Sequence, residues 1–420
     1  MSSTPQPTPT SSSNHPLTST EYTLPNPPQH PISSIVFHPD PSSSSQLSRQ
    51  FLTSSWDSTV RLYQLADVDA NNASSSALSG EAKAQAARQV HSFQHGAPVL
   101  DVCWITPTLA ASGGIDRRVR LLNLEDGSST ILGKHGSAIC RMRYETSTNL
   151  LISASWDKTL KLWDPTAVEP RLLKTLTLPE KPLAMDVSPP WTASPLVPKE
   201  GVRRRLVVAM AARQVRIYDL EELRRRCDAM SGEDDGEQWD PEQTRESSLK
   251  YMVRDVRCNV DGIGFSTSSI EGRIAVDFFD PSSTSQARKY AFKCHRLLVD
   301  GIDVVYPVNQ MGYHPVHGTF FSLGGDAVLS YWDPVSKKRI RQLPSFPSPL
   351  SAAAFSGDGK VLVVASGGVN VEERPSLPNE HGGEEANGEV GGIGKGGEGN
   401  VVLWVRENAA AESKPKPPKA

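Results

Sequence analysis

The sequence predicts an all-β fold, a seven-bladed β-propeller with inserted loops and disordered tails, on three observations. One strand–turn–strand pattern recurs along the chain, a further short apolar run precedes most copies, and the copies number seven once a split one is included. FLTSSWDSTVRLYQL (51–65), LAASGGIDRRVRLLNL (109–124), LLISASWDKTLKLWDP (150–165), LVVAMAARQVRIYDL (206–220), STSSIEGRIAVDFFDP (266–281) and FFSLGGDAVLSYWDP (320–334) share one template. An apolar run leads through small residues to a turn usually holding an acid, and alternating apolar residues follow.

With Asp57, Asp116, Asp157, Ala212, Glu271 and Asp326 as equivalent turn positions, the spacings are 59, 41, 55, 59 and 55. An uninterrupted repeat of this kind takes about 40–45 residues, so the excess belongs to inserts. Segments 66–88, 189–205 and 221–242 are rich in Pro, Ser, Gly or charge and read as surface inserts. The seventh copy is divided between SAAAFSGDGKVLVVASGG (351–368) and NVVLWVRE (400–407), around a Gly/Glu-rich loop at 369–399. Runs such as ISSIVFHP, PVLDVCWI, AICRMRYE and PLAMDVSP supply the remaining strand of each unit. The turn acid has a structural reason to recur, because it accepts hydrogen bonds within the turn and from a nearby His or Ser.

Composition narrows the function classes. The 44 basic and 47 acidic residues among 420 give a net charge of −3, which points away from bulk attraction to nucleic acid or membrane. Cys103, Cys140, Cys227, Cys258 and Cys294 form no CxxC pair, so neither a disulfide framework nor a zinc site is expected, and a reducing compartment is. MSSTPQPTPTSSSNHP has no basic start or apolar core of a signal peptide, and no run of 18 apolar residues occurs. The catalytic inventory lacks HExxH, a P-loop and GxSxG, and the glycine-rich GGVNVEERP and GGIGKGGEGN have no strand-to-helix context. We expect a non-enzymatic protein without metal or cofactor, of cytosolic or nuclear location.

The units resemble WD repeats, most clearly in SASWDKTLKLWDP (153–165). His135 in GKHGS stands where that family places its Gly-His element, and Ser153, Asp157 and Trp163 complete the network the resemblance implies. These four residues read as scaffold and not as a Ser-His-Asp triad. Family precedent closes such a ring by pairing the chain's two ends, which makes EYTLPNPP (21–28) the partner of NVVLWVRE. The expected organisation is a tail at 1–20, a propeller at 21–407 and a second disordered tail at 408–420.

RESSLKYMVRDVRC, SSIEGRIAVDFFDP, KYAFKCHR and YPVNQMGYHPVHGTF, with SSWDSTVRLY and SGGIDRRVRLLNL in the same order, resemble the mitotic spindle-checkpoint WD-repeat family of Bub proteins. The resemblance runs from about residue 21 to 366. The sister family of nuclear-pore mRNA-export factors shares IEGR, KCHR and HPVHGT, whereas ESSLKY, YPVN and SSWD favour the checkpoint family. That resemblance implies a mitotic adaptor in the nucleus and at kinetochores, monomeric within hetero-complexes. Its implied partners are a checkpoint kinase or related protein bearing a GLEBS segment, phosphothreonine Met-Glu-Leu-Thr repeats of a kinetochore scaffold, and an inhibitory assembly on the anaphase-promoting complex. Direct nucleic-acid or membrane binding is not implied.

Surface residues follow from the template. Trp56 and Trp156 precede the turn acids of units one and three, where an indole is apolar surface offered to solvent unless a neighbouring loop covers it. With the resemblance they become candidate GLEBS anchors. Arg213 follows Ala212 in the unit lacking its turn acid, so its charge is expected to be unopposed and open to GLEBS acids. Lys250, Arg254 and Arg273 cluster in and before unit five; they read as a phosphothreonine site or as ordinary solvated charges. The Arg runs at 203–205 and 224–226 read as loop charges, with nuclear localisation as the other reading.

Overall fold

The computed structural model describes residues 20–40, 42, 46–66, 79–189, 194–198, 201–230, 236–299, 301–367 and 401–416. Seven four-stranded antiparallel sheets follow one another in chain order, as the repeat predicts. Within the first six blades the chain runs from the innermost strand outward. In blade three these strands are Ile139–Glu145, Leu150–Ser155, Thr159–Asp164 and Arg171–Thr177. The second strand of this blade is buried on both faces, which is why LLISAS carries apolar or small residues throughout. Radial stacking accounts for this: one apolar cluster joins Ile152 and Leu162 of blade three to Met185 and Val208 of blade four. Burying an aliphatic side chain contributes about 1.5–3 kcal/mol, so the interfaces between blades carry the ring.

The ring closes through the two ends of the folded chain. Glu21–Thr23 pairs with Val402–Arg406 in the register Glu21↔Arg406, Tyr22↔Val405 and Thr23↔Trp404. The halves of the split seventh unit rejoin as Val363↔Val405 and Ala365↔Leu403. The expected tail 1–20 falls almost wholly outside the described residues, as does the whole 369–399 insert.

Three segments differ from the sequence expectation. The insert at 221–242 is not only surface loop: Leu220–Ala229 forms a helix, α2, that buries Leu220, Leu223 and Cys227, and Trp239 is buried behind it. Asp219 caps α2 by accepting the N–H groups of Glu221 and Glu222. The insert at 66–88 likewise holds a short helix, α1, at Gly80–Ala86. Residues 409–413, read as part of a disordered tail, form a short helix that buries Ala409, Glu412 and Ser413. Here Glu412 meets Arg406, a contact between segments that periodicity does not report. The five cysteines are buried and form no disulfide. Among the described residues no helix is long and apolar enough to cross a membrane.

Two local devices recur around the ring and build one face of it. The turn between the second and third strands places a left-handed residue just after the acid position: Ser58 (φ 68°), Arg117 (65°), Lys158 (66°), Arg213 (62°), Gly272 (62°) and Ala327 (61°). Blade five uses glycine because a Cβ at 272 would lie 2.6 Å from the Cys294 carbonyl oxygen. Each turn is then tied to the loop entering its own blade. The N–H groups of Trp56, Ile115, Trp156, Ala211, Ile270, Gly325 and Gly367 donate to the carbonyls of Pro31, Pro98, Ala138, Lys181, Met252, Pro307 and Pro349. The turns and entry loops therefore share a face, called the upper face below.

Every innermost strand also carries a β-bulge near its start; Arg254 is the bulged residue in blade five and Asn309 in blade six. Below the bulges, side chains bridge neighbouring blades. Asp101 accepts the Met142 N–H and an Arg143 Nη1–H, while Arg143 also donates to Asp186. Asp255 accepts the Met311 N–H, and Gln310 that of Ala353.

Candidate peptide-binding face

The upper face rests on hydrogen-bond networks built around the turns. In blade three, Trp163 donates its indole N–H to Ser153 Oγ at 2.9 Å, and Ser153 donates to His135 Nε2 at 2.7 Å. His135 Nδ1 lies 3.0 Å from Thr159 Oγ1 and 3.3 Å from Asp157 Oδ2. Burial pushes the His135 imidazole down to about 4, against the pull of Asp157, so the ring is neutral and each nitrogen has one role. Burial opposes the Asp157 charge, but bonds from the Thr159 hydroxyl and the Gly136 N–H hold its carboxyl below the usual range. All four residues are thus occupied within the blade, as the scaffold reading expects.

A second such network, which the sequence reading missed, stands in blade six. His295 Nδ1 is 2.9 Å from Asp326, its Nε2 is 2.8 Å from Ser322, and Trp332 donates to Ser322 at 2.8 Å. The Ser-to-Trp separation is ten residues in both blades, but His precedes Ser by 27 in blade six against 18 in blade three. The nine extra residues obscure the motif. They correspond to an added hairpin, Arg296–Val299 with Ile302–Val305, between blades five and six. Constant Ser-to-Trp spacing was the signal available.

Trp56 and Trp156 stand outside these networks. Asp57 accepts from Thr59 and Arg61, leaving the Trp56 side chain 49% exposed. Trp156 is 38% exposed on the matching turn of blade three. Both residues are thus partly open to solvent, Trp56 more than Trp156.

The expected isolation of Arg213 is corrected. Its Nε and Nη2 donate to the Ser247 carbonyl, and Nη1 lies 3.1 Å from Glu246 Oε1. Glu246 comes from the blade's outermost strand, which pairs Gln214 with Glu246. The acid absent from the turn is thereby supplied across the sheet, a pairing that spacing along the chain does not reveal.

Lys250, Arg254 and Arg273 share the upper edge of blade five, where the Ile270 N–H bonds the Met252 carbonyl at 3.1 Å. They do not bond one another. Arg254 turns toward blade six and donates to Asn309 Oδ1 at 3.1 Å, while Arg273 Nε lies 3.4 Å from Glu271 Oε2. Lys250 is exposed. Arg254 is exposed. Burial and then the like charge of Arg141 pull its guanidinium below its ordinary value. Arg141 and the exposed Tyr251, Met252 and Ile270 belong to the same region and were not singled out from sequence.

Comparison with known proteins bears on what this face belongs to. The "WD domain, G-beta repeat" family matches residues 19–64 and 128–164. The chain is 40% identical over 346 residues to the mitotic checkpoint protein BUB3.1 of Arabidopsis thaliana, covering 82% of this chain and 86% of that one. The chain belongs to the Bub3 family of WD-repeat mitotic checkpoint proteins. Another Bub3 protein, from Dictyostelium discoideum, is 34% identical over 84% of this chain and 90% of its own. The export branch is similar at lower identity: the poly(A)+ RNA export protein of Schizosaccharomyces pombe matches at 28% over 81% of this chain and 82% of its own. In this Bub3-family chain the exposed tryptophans stand on the turns of blades one and three, whose acids are bonded within the turn.

Proposed function

We propose that this Bub3-family chain is a non-enzymatic adaptor of the mitotic checkpoint, acting in the nucleus and at kinetochores. One part of its upper face grips a GLEBS segment of a checkpoint kinase or related protein, through Trp56 and Trp156 with Arg213 at the rim. The other reads phosphothreonine in Met-Glu-Leu-Thr repeats of a kinetochore scaffold through Lys250, Arg254 and Arg273. The observation that carries this reading is the pair of exposed indoles on turns whose polar groups are already satisfied without them. Large exposed apolar side chains on a rigid frame suit an anchored peptide clamp.

Basic side chains on the edge of blade five suit an oxyanion. Arg254 is exposed and feels the like charge of Arg141, which an added phosphate would offset. Titrating the full-length protein with phosphorylated and unphosphorylated Met-Glu-Leu-Thr peptide tests this. Preference for the phosphorylated form is expected, and equal affinity for both rejects the phosphate reader. The likeness to export proteins keeps a second reading, a pore-associated mRNA-export factor, for which pore association without phosphate dependence is the expected result.

A further inference from the structure

The innermost strands begin at the upper face and end at the opposite, lower one. There they enclose a cavity of about 230 Å³ to which all seven blades contribute, so it lies on the axis of the ring. Phe37, Tyr144, Tyr313 and Phe355 line it, at or next to the ends of the strands Ile32–Phe37, Ile139–Glu145, Val308–Tyr313 and Leu350–Phe355. Trp104 of blade two joins them, and Arg143 and Arg257 bring charge to the wall. The insert at 189–205 buttresses this end. Pro189 lines the cavity, and the Ser194 hydroxyl donates to the Pro315 carbonyl in the lower loop of blade six. Leu196 closes on the same loop, where a Cβ at Gly318 would lie 3.0 Å from its Cδ1.

The charged groups here are unevenly satisfied. Asp186 accepts the Arg143 Nε–H on one oxygen and the Cys258 N–H on the other, both at 2.9 Å. Asp101 accepts from Val102, Met142 and Arg143, and Glu145 from Ser147 and Thr148. Asp255 Oδ2 accepts from Arg257 Nε and the Met311 N–H, while its Oδ1 is sealed from solvent and out of a ligand's reach. Arg143 uses Nε and Nη1, and Arg257 only Nε. Among the described residues, Arg143 Nη2 and both Arg257 Nη atoms make no hydrogen bond. The acceptors are thus engaged within the protein and three guanidinium nitrogens are not. Open guanidinium donors set among aromatic rings suit a carboxylate carried on a flat apolar body.

We propose that this lower cavity is a binding site for a small free organic acid. Its carboxylate bonds Arg143 Nη2 and the Arg257 fork, and its apolar body packs on Trp104, Tyr144 and Phe355. The site is separate from the upper face and does not depend on the peptide readings above.

The test is a ligand-observed NMR titration of the full-length protein with phenylacetate, its neutral isostere phenylacetamide, and acetate, which lacks the apolar body. A charge-assisted hydrogen bond is worth about tenfold or more in affinity. Phenylacetate is expected to bind at least tenfold more tightly than either of the others. Arg257→Gln is expected to remove that preference, Ala354→Phe to block the cavity, and Ile131→Ser, on the outer edge of blade two, to bind as the parent does. The comparison of the three ligands on the unmodified protein needs no variant to fold. Absence of saturable phenylacetate binding, or equal affinity for acid and amide, overturns the site. So does parental affinity in Arg257→Gln and Ala354→Phe together. A peptide ending in phenylalanine with a free carboxylate is titrated alongside. If it displaces phenylacetate and binds tenfold more tightly, the site belongs to a chain terminus and the free acid is overturned.

Discussion

Arg406 and Glu412 form a two-pronged ion pair inside the closed ring, Nη2 to Oε1 at 2.7 Å and Nε to Oε2 at 3.2 Å. Arg406 also bonds Glu21 of the strand that closes the seventh blade, and Tyr331 of blade six reaches Glu412. Burial works against the guanidinium charge, but Glu412 and Glu21 hold it above its ordinary value. One cation thus binds the N-terminal strand, the last strand and the C-terminal helix.

Removing one member of this cluster leaves a buried charge without its partner. Arg406→Ala is expected to cost about 3–5 kcal/mol, and to expose residues near Glu21 and Glu412 to amide exchange before the other blades. Denaturant unfolding with hydrogen exchange measures both. Loss spread evenly over all blades contradicts the closure role.

Ser153 accepts from Trp163 and donates to His135, and Ser322 does the same for Trp332 and His295. Replacing either serine by alanine strands an indole N–H and an imidazole nitrogen, each costing about 1–3 kcal/mol. Both variants are expected to melt lower, by similar amounts, with peptide binding retained in the folded protein.

His135 is held neutral in the folded state, at about 4 against an ordinary 6.5. The unfolded chain therefore binds the extra proton first, between those values. Stability is complete above pH 6.5 and falls as pH drops toward 4. His314, lowered by burial to about 3, acts in the same direction. Melting temperature measured from pH 7.5 to 4.5 is expected to decline, with a shallower slope in His135→Gln.

Trp56→Ala and Trp156→Ala remove exposed side chains that no network uses. Each is expected to weaken GLEBS-peptide binding by about 2 kcal/mol while leaving the melting temperature within about 1 °C of the parent. Undiminished peptide affinity in the double variant rejects the clamp.

Arg254→Ala and Arg273→Ala are expected to reduce the preference for phosphorylated over unphosphorylated peptide, since a charge-assisted bond contributes about 1.5–3 kcal/mol. Isothermal titration with the two peptides reads the ratio. A general loss of affinity that leaves the ratio intact argues for a different phosphate contact.

Much of the propeller was legible because the repeat is local. The alternation in LLISAS and TLKLWD, the turn acids and the tryptophans before them lie within about fifteen residues of one another, so pattern and spacing identify them. The His295 network was hidden by the hairpin inserted between its histidine and its serine. α2 was hidden by a charged composition that suggested loop, although Leu220, Leu223 and Cys227 stand on one side of a helix at spacings of three and four.

By itself the sequence determined the seven units, their turn chemistry and the two indoles that the turns do not consume, since these depend on residues close in the chain. Tertiary structure decided the charge state of the face and its extent. It paired Arg213 with Glu246 across a sheet, aimed Arg254 at Asn309 in the next blade, and rooted an aliphatic hairpin against the blade-five turn. Coulombic and apolar contacts act through space, and closing the ring brings together side chains that the chain keeps tens to hundreds of residues apart.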